Sequence, residues 1–438
     1  MKTLYCIVCL FFTWTFFGQN KLWTLEEAVA YAVENNLTVK QISLESELAD
    51  IQKSEALGNM LPTLNGSATF SSNTGTNINP LTNSIENNTF LSLTTGLQSG
   101  VTIFSGFQNL RQLQRAKLQQ IAAQYNIDKM KDDIALNVVN AYLTVIYSKE
   151  NLKIIEAQRQ VTLQQLERTN ALVDAGVLPR GDLLEIKATV AGDEQRLIDA
   201  QNQIKIALLN LAQLLAVTDY QNFDISEQDY DVPLQTVTEQ PVEAIVSKAK
   251  ETRPESKVAA QNIELSEKDL QIARGAYSPR LSAFAGYDTR WSDNDFLDRQ
   301  FVQQLYENDG TFYGVQLQVP IFNGLAARNQ VKRAKVNMDR ALLQKQQTEL
   351  EIEANVYRAY SDVIGVYASY QAAIKTEEAL QQAYEFTVER FNEGFVNSFD
   401  VSQAKVRLEN AQSETLRTKY DYIFKLKLLE LYFGIPLY

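Results

Sequence analysis

Leu91-Ser92-Leu93-Thr94-Thr95-Gly96-Leu97-Gln98-Ser99-Gly100-Val101-Thr102-Ile103 is the stretch on which the fold turns. Its odd positions are apolar or small (Leu91, Leu93, Thr95, Leu97, Ser99, Val101, Ile103). Its even positions (Ser92, Thr94, Gly96, Gln98, Gly100, Thr102) are polar or glycine. Strict period-two alternation gives an extended strand one apolar and one polar face. The strand leaves through Ile103-Phe104-Ser105-Gly106. The same pattern is written again: Tyr313, Val315, Leu317 and Val319 alternate with Gly314, Gln316 and Gln318, then leave through Ile321-Phe322-Asn323-Gly324. Upstream of each lies a partner strand, Thr63 to Phe70 and Leu281 to Trp291, less cleanly alternating, with Phe284 on the nominally polar face. Long polar loops, Gly75 to Asn88 and Ser292 to Gly310, are expected between the members of each pair.

Working outward, the whole chain repeats at a spacing of about 218 residues. Leu61-Pro62-Thr63-Leu64 returns as Ser278-Pro279-Arg280-Leu281, Arg115-Ala116-Lys117 as Arg333-Ala334-Lys335, and Ala141-Tyr142 as Ala359-Tyr360. Ala175-Gly176-Val177 with Asp182 returns as Glu393-Gly394-Phe395 with Asp400, and Leu211 to Val217 as Leu429 to Ile435. The division expected is a first copy at 19–220, an inter-repeat collar at 221–240 and a second copy at 241–438. Each copy opens with a helical segment, Leu25 to Leu57 or Val242 to Ala276, and continues into the two strands. A very long helix, a Gly-containing break and a second long helix follow.

No Pro or Gly interrupts Phe107 to Ala175, enough for a helix of roughly 100 Å at about 1.5 Å per residue. Its counterpart, Leu325 to Glu393, contains Gly365 as its only breaker. Val356, Tyr360, Val363, Tyr367, Tyr370 and Ile374 recur in steps of four and three, as do Leu136, Val139, Leu143 and Ile146. That spacing is a coiled-coil seam, so these helices pack against other helices.

Composition removes most enzymatic chemistries. The 438-residue chain contains no histidine, which takes away the usual general base and the commonest zinc ligand. Its two cysteines, Cys6 and Cys9, fall in a segment that opens with Lys2, runs apolar from Leu4 to Phe17 and ends at Gly18. This reads as a secretory signal peptide over 1–18, leaving a mature chain without thiols, disulfides or any implied cofactor. The formal charge of −12 leaves no basic footprint for nucleic acid. No later stretch approaches the roughly 20 apolar residues of a transmembrane helix, so any membrane crossing must use strands.

Four strands cannot close a membrane barrel, whose smallest examples have about eight. An open sheet in hydrocarbon leaves backbone groups unpaired, at several kcal/mol each. Several copies must therefore share one barrel, and three copies give a twelve-stranded ring under cyclic symmetry.

The Pro-x-Leu lead-ins (Pro62, Pro279), the Ile-Phe-x-Gly exits (Phe104, Phe322) and the turns pairing Gly176 with Asp182 and Gly394 with Asp400 recur in fixed order. In this the chain resembles the TolC-like outer-membrane efflux family across essentially its whole mature length. The resemblance implies a mixed α and β membrane protein of duplicated units. Four strands per protomer would complete a trimeric twelve-stranded β-barrel, with long coiled-coil helices forming a periplasmic α-barrel. It implies a homotrimeric exit duct in the outer membrane that extends into the periplasm and catalyses no reaction. Its partners would be outer-membrane lipid, a periplasmic adaptor and an inner-membrane pump of an efflux or type I secretion system. At the channel constriction it implies Asp400, with Asp182 and Glu185 from the first copy. Gln403 stands where the family motif has a second acidic residue, and Phe391 and Val396 stand where an aromatic and an arginine tether the closed state. The turns Gly176-Val177-Leu178 and Gly394-Phe395-Val396 are the expected adaptor-docking sites. The bland alternative is that Val177 and Phe395 merely staple each turn against its own helices.

Two alternatives compete. A secreted coiled-coil surface or adhesion protein without a pore would account for the leader and the seams, but it needs no duplicated two-faced strands. An exported hydrolase built on carboxylates would need a pocket, and no such constellation stands out in the sequence.

Overall fold

The computed structural model describes residues 22–78, 83–227, 230, 232, 237–295, 297 and 299–437. The leader expected over 1–18, and part of the segment 221–240, lie outside the described residues. In chain order the elements are β1 (Leu22–Trp23), α1 (Leu25–Asn35), α2 (Leu37–Gly58), β2 (Thr63–Ile78), β3 (Ile85–Ser105), α3 (Gln108–Asp174) and α4 (Arg180–Leu214). There follow β4 (Asp224–Ile225), α5 (Val242–Thr252), α6 (Pro254–Gly275), β5 (Arg280–Ser292), α7 (Phe301–Glu307), β6 (Gly310–Gln318), α8 (Ala326–Asn392) and α9 (Ser398–Phe433). Among the described residues no helix is long and apolar enough to cross a membrane.

Two compact units emerge, and each draws on both halves of the sequence. Among the described residues, the first draws on 22–41, 129–253 and 352–437 and holds the main core. Val138, Val139 and Tyr142 of α3 meet Val29 and Ala32 of α1, Leu211 of α4, Ile245 of α5, Val356 of α8 and Tyr422 and Leu426 of α9. The Tyr142 hydroxyl lies 3.0 Å from the Trp23 carbonyl and 3.1 Å from that of Ser226, where β1 and β4 pair in parallel. Burial, with Tyr230 beside it, pushes that phenol well above its ordinary range.

The inter-repeat segment, which has no Lys or Arg from 218 to 240, is held by cations of α3. Lys149 reaches Asp224 at 2.6 Å and Lys153 reaches Glu227 at 2.7 Å. The hydrogen bond from Lys153, opposed by some burial, keeps the Glu227 carboxyl below its ordinary value.

Where one helix was expected over Leu25–Leu57, the chain breaks at Asn36. The Asn36 side chain accepts from Thr38 N at 2.8 Å and donates to Leu214 O at 2.7 Å. Such local side-chain bonding is why Asn favours helix ends over interiors. The equivalent break in the second copy falls at Arg253, before Pro254, where the proline ring excludes helical backbone on its N-terminal neighbour. Gly365, expected as a breaker, does not interrupt α8. One helical glycine costs only about 1 kcal/mol, which packing absorbs.

The second unit, residues 42–128 and 254–351, holds an antiparallel sheet in the order β2-β3-β5-β6. Directly opposed residues share a face. Leu97 lies opposite Gly66 and Tyr287, Leu93 opposite Phe70 and Trp291, Val315 opposite Ala283, and Leu317 opposite Leu281. This is one continuous apolar face. The other carries Thr69, Ser71, Thr94, Gln98, Asp288, Arg290 and Gln316. Phe284 interrupts it for a packing reason. A Cβ on Gly314 would stand 2.8 Å from the Phe284 ring and one on Gly286 2.3 Å from that of Phe312, so each ring covers the glycine opposite.

The loop expected over Gly75–Asn88 is mostly strand, since pairing continues to Ile78 opposite Ile85. Cross-strand hydroxyl pairs, Ser71 with Ser92 at 2.8 Å and Thr74 with Thr89 at 2.9 Å, support it where apolar alternation fades. The loop expected over Ser292–Gly310 contains α7, against which Thr289 and Ser292 make hydrogen bonds.

Candidate functional site

In the first unit the two long helices end in the same way. α3 stops at Gly176, with φ +74°, and α8 at Gly394, with φ +81°, a left-handed backbone that only glycine adopts without strain. Val177 N donates to Leu172 O and Phe395 N to Arg390 O, both at 2.9 Å, which satisfies otherwise orphaned carbonyls.

In this turn type the residue after the glycine commonly folds back on the helix. Here Val177 and Phe395 instead stand 66% and 70% exposed. Their neighbours Leu178 and Val396 turn inward and pack on Tyr384, Phe391, Val401 and Leu408. Of the six turn residues expected to dock, Leu178 and Val396 are packed on the helices, so the stapling considered for Val177 and Phe395 falls to their neighbours, and Val177 and Phe395 present apolar surface. Leu184 and Phe399, exposed in the first turns of α4 and α9, enlarge that surface.

The expected constriction residues lie just beyond. Asn397 caps α9 by accepting from Asp400 N at 3.0 Å, and the Asp400 carboxylate accepts from Asn397 N at 3.3 Å, a reciprocal capping box. Asp182 occupies the first turn of α4 and accepts from the Ser398 hydroxyl at 2.8 Å, which joins the two helix starts. Glu185 and Gln403, a turn further along α4 and α9, are exposed. Phe391 and Val396, where the resemblance puts an aromatic and an arginine tether, share one apolar cluster instead.

One group of polar residues escapes a reading of the sequence. Lys405 of α9, 2% exposed, reaches Asp193 of α4 and Thr162 of α3, both at 2.5 Å, and Glu409 at 3.3 Å. Arg196 bonds Asp193 and reaches Glu409 at 3.1 Å. Burial alone would raise the Asp193 carboxyl, but hydrogen bonds from Lys405, Thr162 and Arg196 outweigh it and hold that carboxyl below its ordinary value. The same burial, with Glu409 and Asp193 nearby, raises the Tyr384 phenol. The cluster ties α9 to α3 and α4 by charge-assisted bonds. Lys405 and Glu409 stand more than 200 positions along the chain from Thr162, Asp193 and Arg196. Each alone looks like an ordinary charge on a solvated helix face, and no motif marks it.

Comparison with known proteins agrees with this architecture. The family model described as outer membrane efflux protein matches residues 29–217 and 245–434. The outer membrane protein TolC of Vibrio cholerae is 24% identical over 321 residues, which cover 71% of this chain and 69% of that protein. The cation efflux system protein CusC of Escherichia coli O157:H7 is 23% identical over 430 residues, covering 93% of this chain and 84% of it. The CmeC outer membrane channel of Campylobacter jejuni superposes with a TM-score of 0.79 over 95% of this chain and 86% of that one, at 19% identity. With both halves matched and the fold shared, the chain belongs to the outer membrane efflux protein family and is an outer-membrane exit channel.

Proposed function

We propose that this channel works as a homotrimer, a passive duct without enzymatic activity. Three four-stranded sheets would close one twelve-stranded barrel, and the helices would line a periplasmic passage. The observation that carries this reading is the sheet itself: apolar on one face, polar on the other, with β2 and β6 both left as open edges. In lipid an open edge costs several kcal/mol per unpaired backbone group, and ring closure removes both edges at once. The sequence halves 19–220 and 241–438, joined by 221–240, are then two copies of one unit.

A duct with no energy source of its own must be recruited by a partner that has one. The exposed apolar residues Val177 and Phe395, beside Leu184 and Phe399, suit the helical tips of a periplasmic adaptor that links to an inner-membrane pump. Asp400, Asp182 and Glu185 would place carboxylates near the same end of the passage, at a constriction favouring cations. A surface adhesin would not need the two-faced sheet.

Electrophoresis without heating, combined with single-channel recording, tests the core of this. An SDS-resistant trimer that conducts is expected, and a heat-independent monomer without conductance overturns the proposal. Val177→Asp with Phe395→Asp should leave the trimer intact and abolish adaptor cross-linking. Persistence of cross-linking moves docking away from the turns.

A further inference from the structure

In the second unit, chirality decides which side of α8 shares the apolar face of the sheet. Viewed with that face in front and the helices below, β5 runs upward and β6 downward. Asp293 N donates to Leu91 O, so the odd, apolar-face residues of β5 direct their backbone groups toward β3. In an upward strand of L-residues, a residue facing the viewer directs those groups to the right. β3 therefore lies to the right of β5, and β6 to its left. It follows that α8, descending from β6, has α6, climbing into β5, on its right.

Ala327, Val331 and Ala334 form the stripe of α8 turned toward α6, with Ala334 packed on Leu270 and Ala273. A descending right-handed helix turns clockwise seen from above, by about 100° per residue. The residue after each stripe position therefore faces the viewer, and those residues are Arg328, Lys332 and Lys335. α6 climbs with α8 on its left, so by the same rule the residue after Ala273, Arg274, also faces forward. All four cations are exposed. Among the described residues none has an ion pair or a side-chain hydrogen bond. The stripe on the far side of α8, Gln330, Asn337 and Gln344, is uncharged.

The surrounding charge is one-sided. In a chain of formal charge −12, no Asp or Glu occurs between Asp309 and Asp339. The first copy lacks the cluster, having Leu110, Gln114 and Lys117 at the positions of Arg328, Lys332 and Lys335. Directly before α8 come Ile321 and Phe322, 93% and 82% exposed. The basic stripe starts in the first turn of α8 and runs for about 10 Å. A headgroup layer is about 5–8 Å thick on each side of the hydrocarbon. Long basic side chains can reach back toward it along the helix.

We propose that Arg328, Lys332 and Lys335 of α8, with Arg274 of α6, bind the headgroup phosphate of an anionic phospholipid in the periplasmic leaflet, one site per copy. This rests on the reading that the apolar face of the sheet meets lipid, and it adds a lipid preference to that reading. The carboxylates Glu47 and Asp50 on α2 of a neighbouring copy are the competing partners for these cations.

The test is a lipid titration of the purified channel in detergent, followed by native mass spectrometry, with phosphatidylglycerol in one arm and phosphatidylcholine in the other. A cation beside an anionic lipid surface is worth about fivefold in affinity. Arg328→Gln/Lys332→Gln/Lys335→Gln should therefore weaken phosphatidylglycerol binding on the order of a hundredfold and leave phosphatidylcholine unchanged. Lys187→Gln/Lys205→Gln/Lys375→Gln, an equal loss of charge from exposed positions in the first unit, should keep the wild-type preference. Equal binding of the two lipids by wild type, or an unchanged preference in the α8 variant, overturns the proposal. Should the triple variant not assemble, Arg328→Gln and Lys332→Gln singly decide, each with an expected loss of about fivefold. A single variant with a weakened trimer in lipid-free detergent and unchanged phosphatidylglycerol affinity assigns the cations to contact between copies. Unheated electrophoresis of the same samples separates the two readings: trimers without lipid preference sink only this one, and no trimer in wild type sinks both.

Discussion

The two compact units are stabilised by opposite means. The first buries a long list of large side chains, with Tyr142, Leu211, Ile245, Tyr422 and Leu426 all at or below 1% exposure, and adds a buried ion cluster. The second has one small cluster around Leu270, Ala273 and Ala334. Its sheet leaves the apolar face open: Phe70, Leu97, Val315 and Leu317 stand 53–70% exposed. A soluble sheet in that state would be an aggregation site. The first unit thus carries its own core, whereas under the proposed trimer the second would be finished by lipid and by copies of itself. Substitutions should accordingly act on stability in the first unit and on assembly in the second.

The largest effect is expected in the buried cluster. Lys405→Met leaves Asp193, 1% exposed, without its main counter-charge, and breaking a buried pair in this way costs about 3–5 kcal/mol. The thermal midpoint of the helical circular dichroism should fall well below wild type. Lys405→Met combined with Asp193→Leu should recover much of the loss, because an apolar replacement of the whole pair is often neutral. A single variant that melts like wild type would assign the stability of this region to the apolar seam alone.

The next effect separates the two faces of the sheet. Leu97→Arg or Leu317→Arg puts a charge on the apolar face, at a cost of about 2–4 kcal/mol near the bilayer midplane. Unheated electrophoresis should show less trimer for both. Gln98→Arg, on the polar face, should assemble normally. Equal behaviour of the three would mean that the apolar face does not meet lipid.

How much of this could be read from the sequence follows the range of the interactions. Strand alternation and helix length are local, so Leu91–Ile103 and the run from Phe107 to Ala175 were legible, as was the duplication. The extension of β2 to Ile78 and the start of β3 at Ile85 were not, since hydroxyl pairs such as Thr74 with Thr89 hold a strand without an apolar signature. The break at Asn36 depends on a carbonyl 178 residues away, at Leu214. The inward turn of Leu178 and Val396 depends on Tyr384 and Leu408, and the Lys405 cluster on three helices at once. At the proposed constriction the capping bond between Asp400 and Asn397 was not legible.

The smallest expected effect tests whether Asp400 does more than shape its helix. In the first copy the equivalent residue, Asp182, has no capping partner before it, because Pro179 stands at that position. In the second, Asp400 and Asn397 cap each other. Asp400→Ala removes half of that box and should cost about 1 kcal/mol, a modest fall in thermal midpoint. Asp400→Asn keeps an acceptor for Asn397 N and should melt close to wild type while removing the charge. If three Asp400 carboxylates face the passage, both variants should lose cation preference and multivalent-cation block in single-channel recordings. If Asp400→Asn conducts and is blocked as wild type, the carboxylate serves only as the third residue of a helix, and the acidic lining must be sought at Asp182 and Glu185.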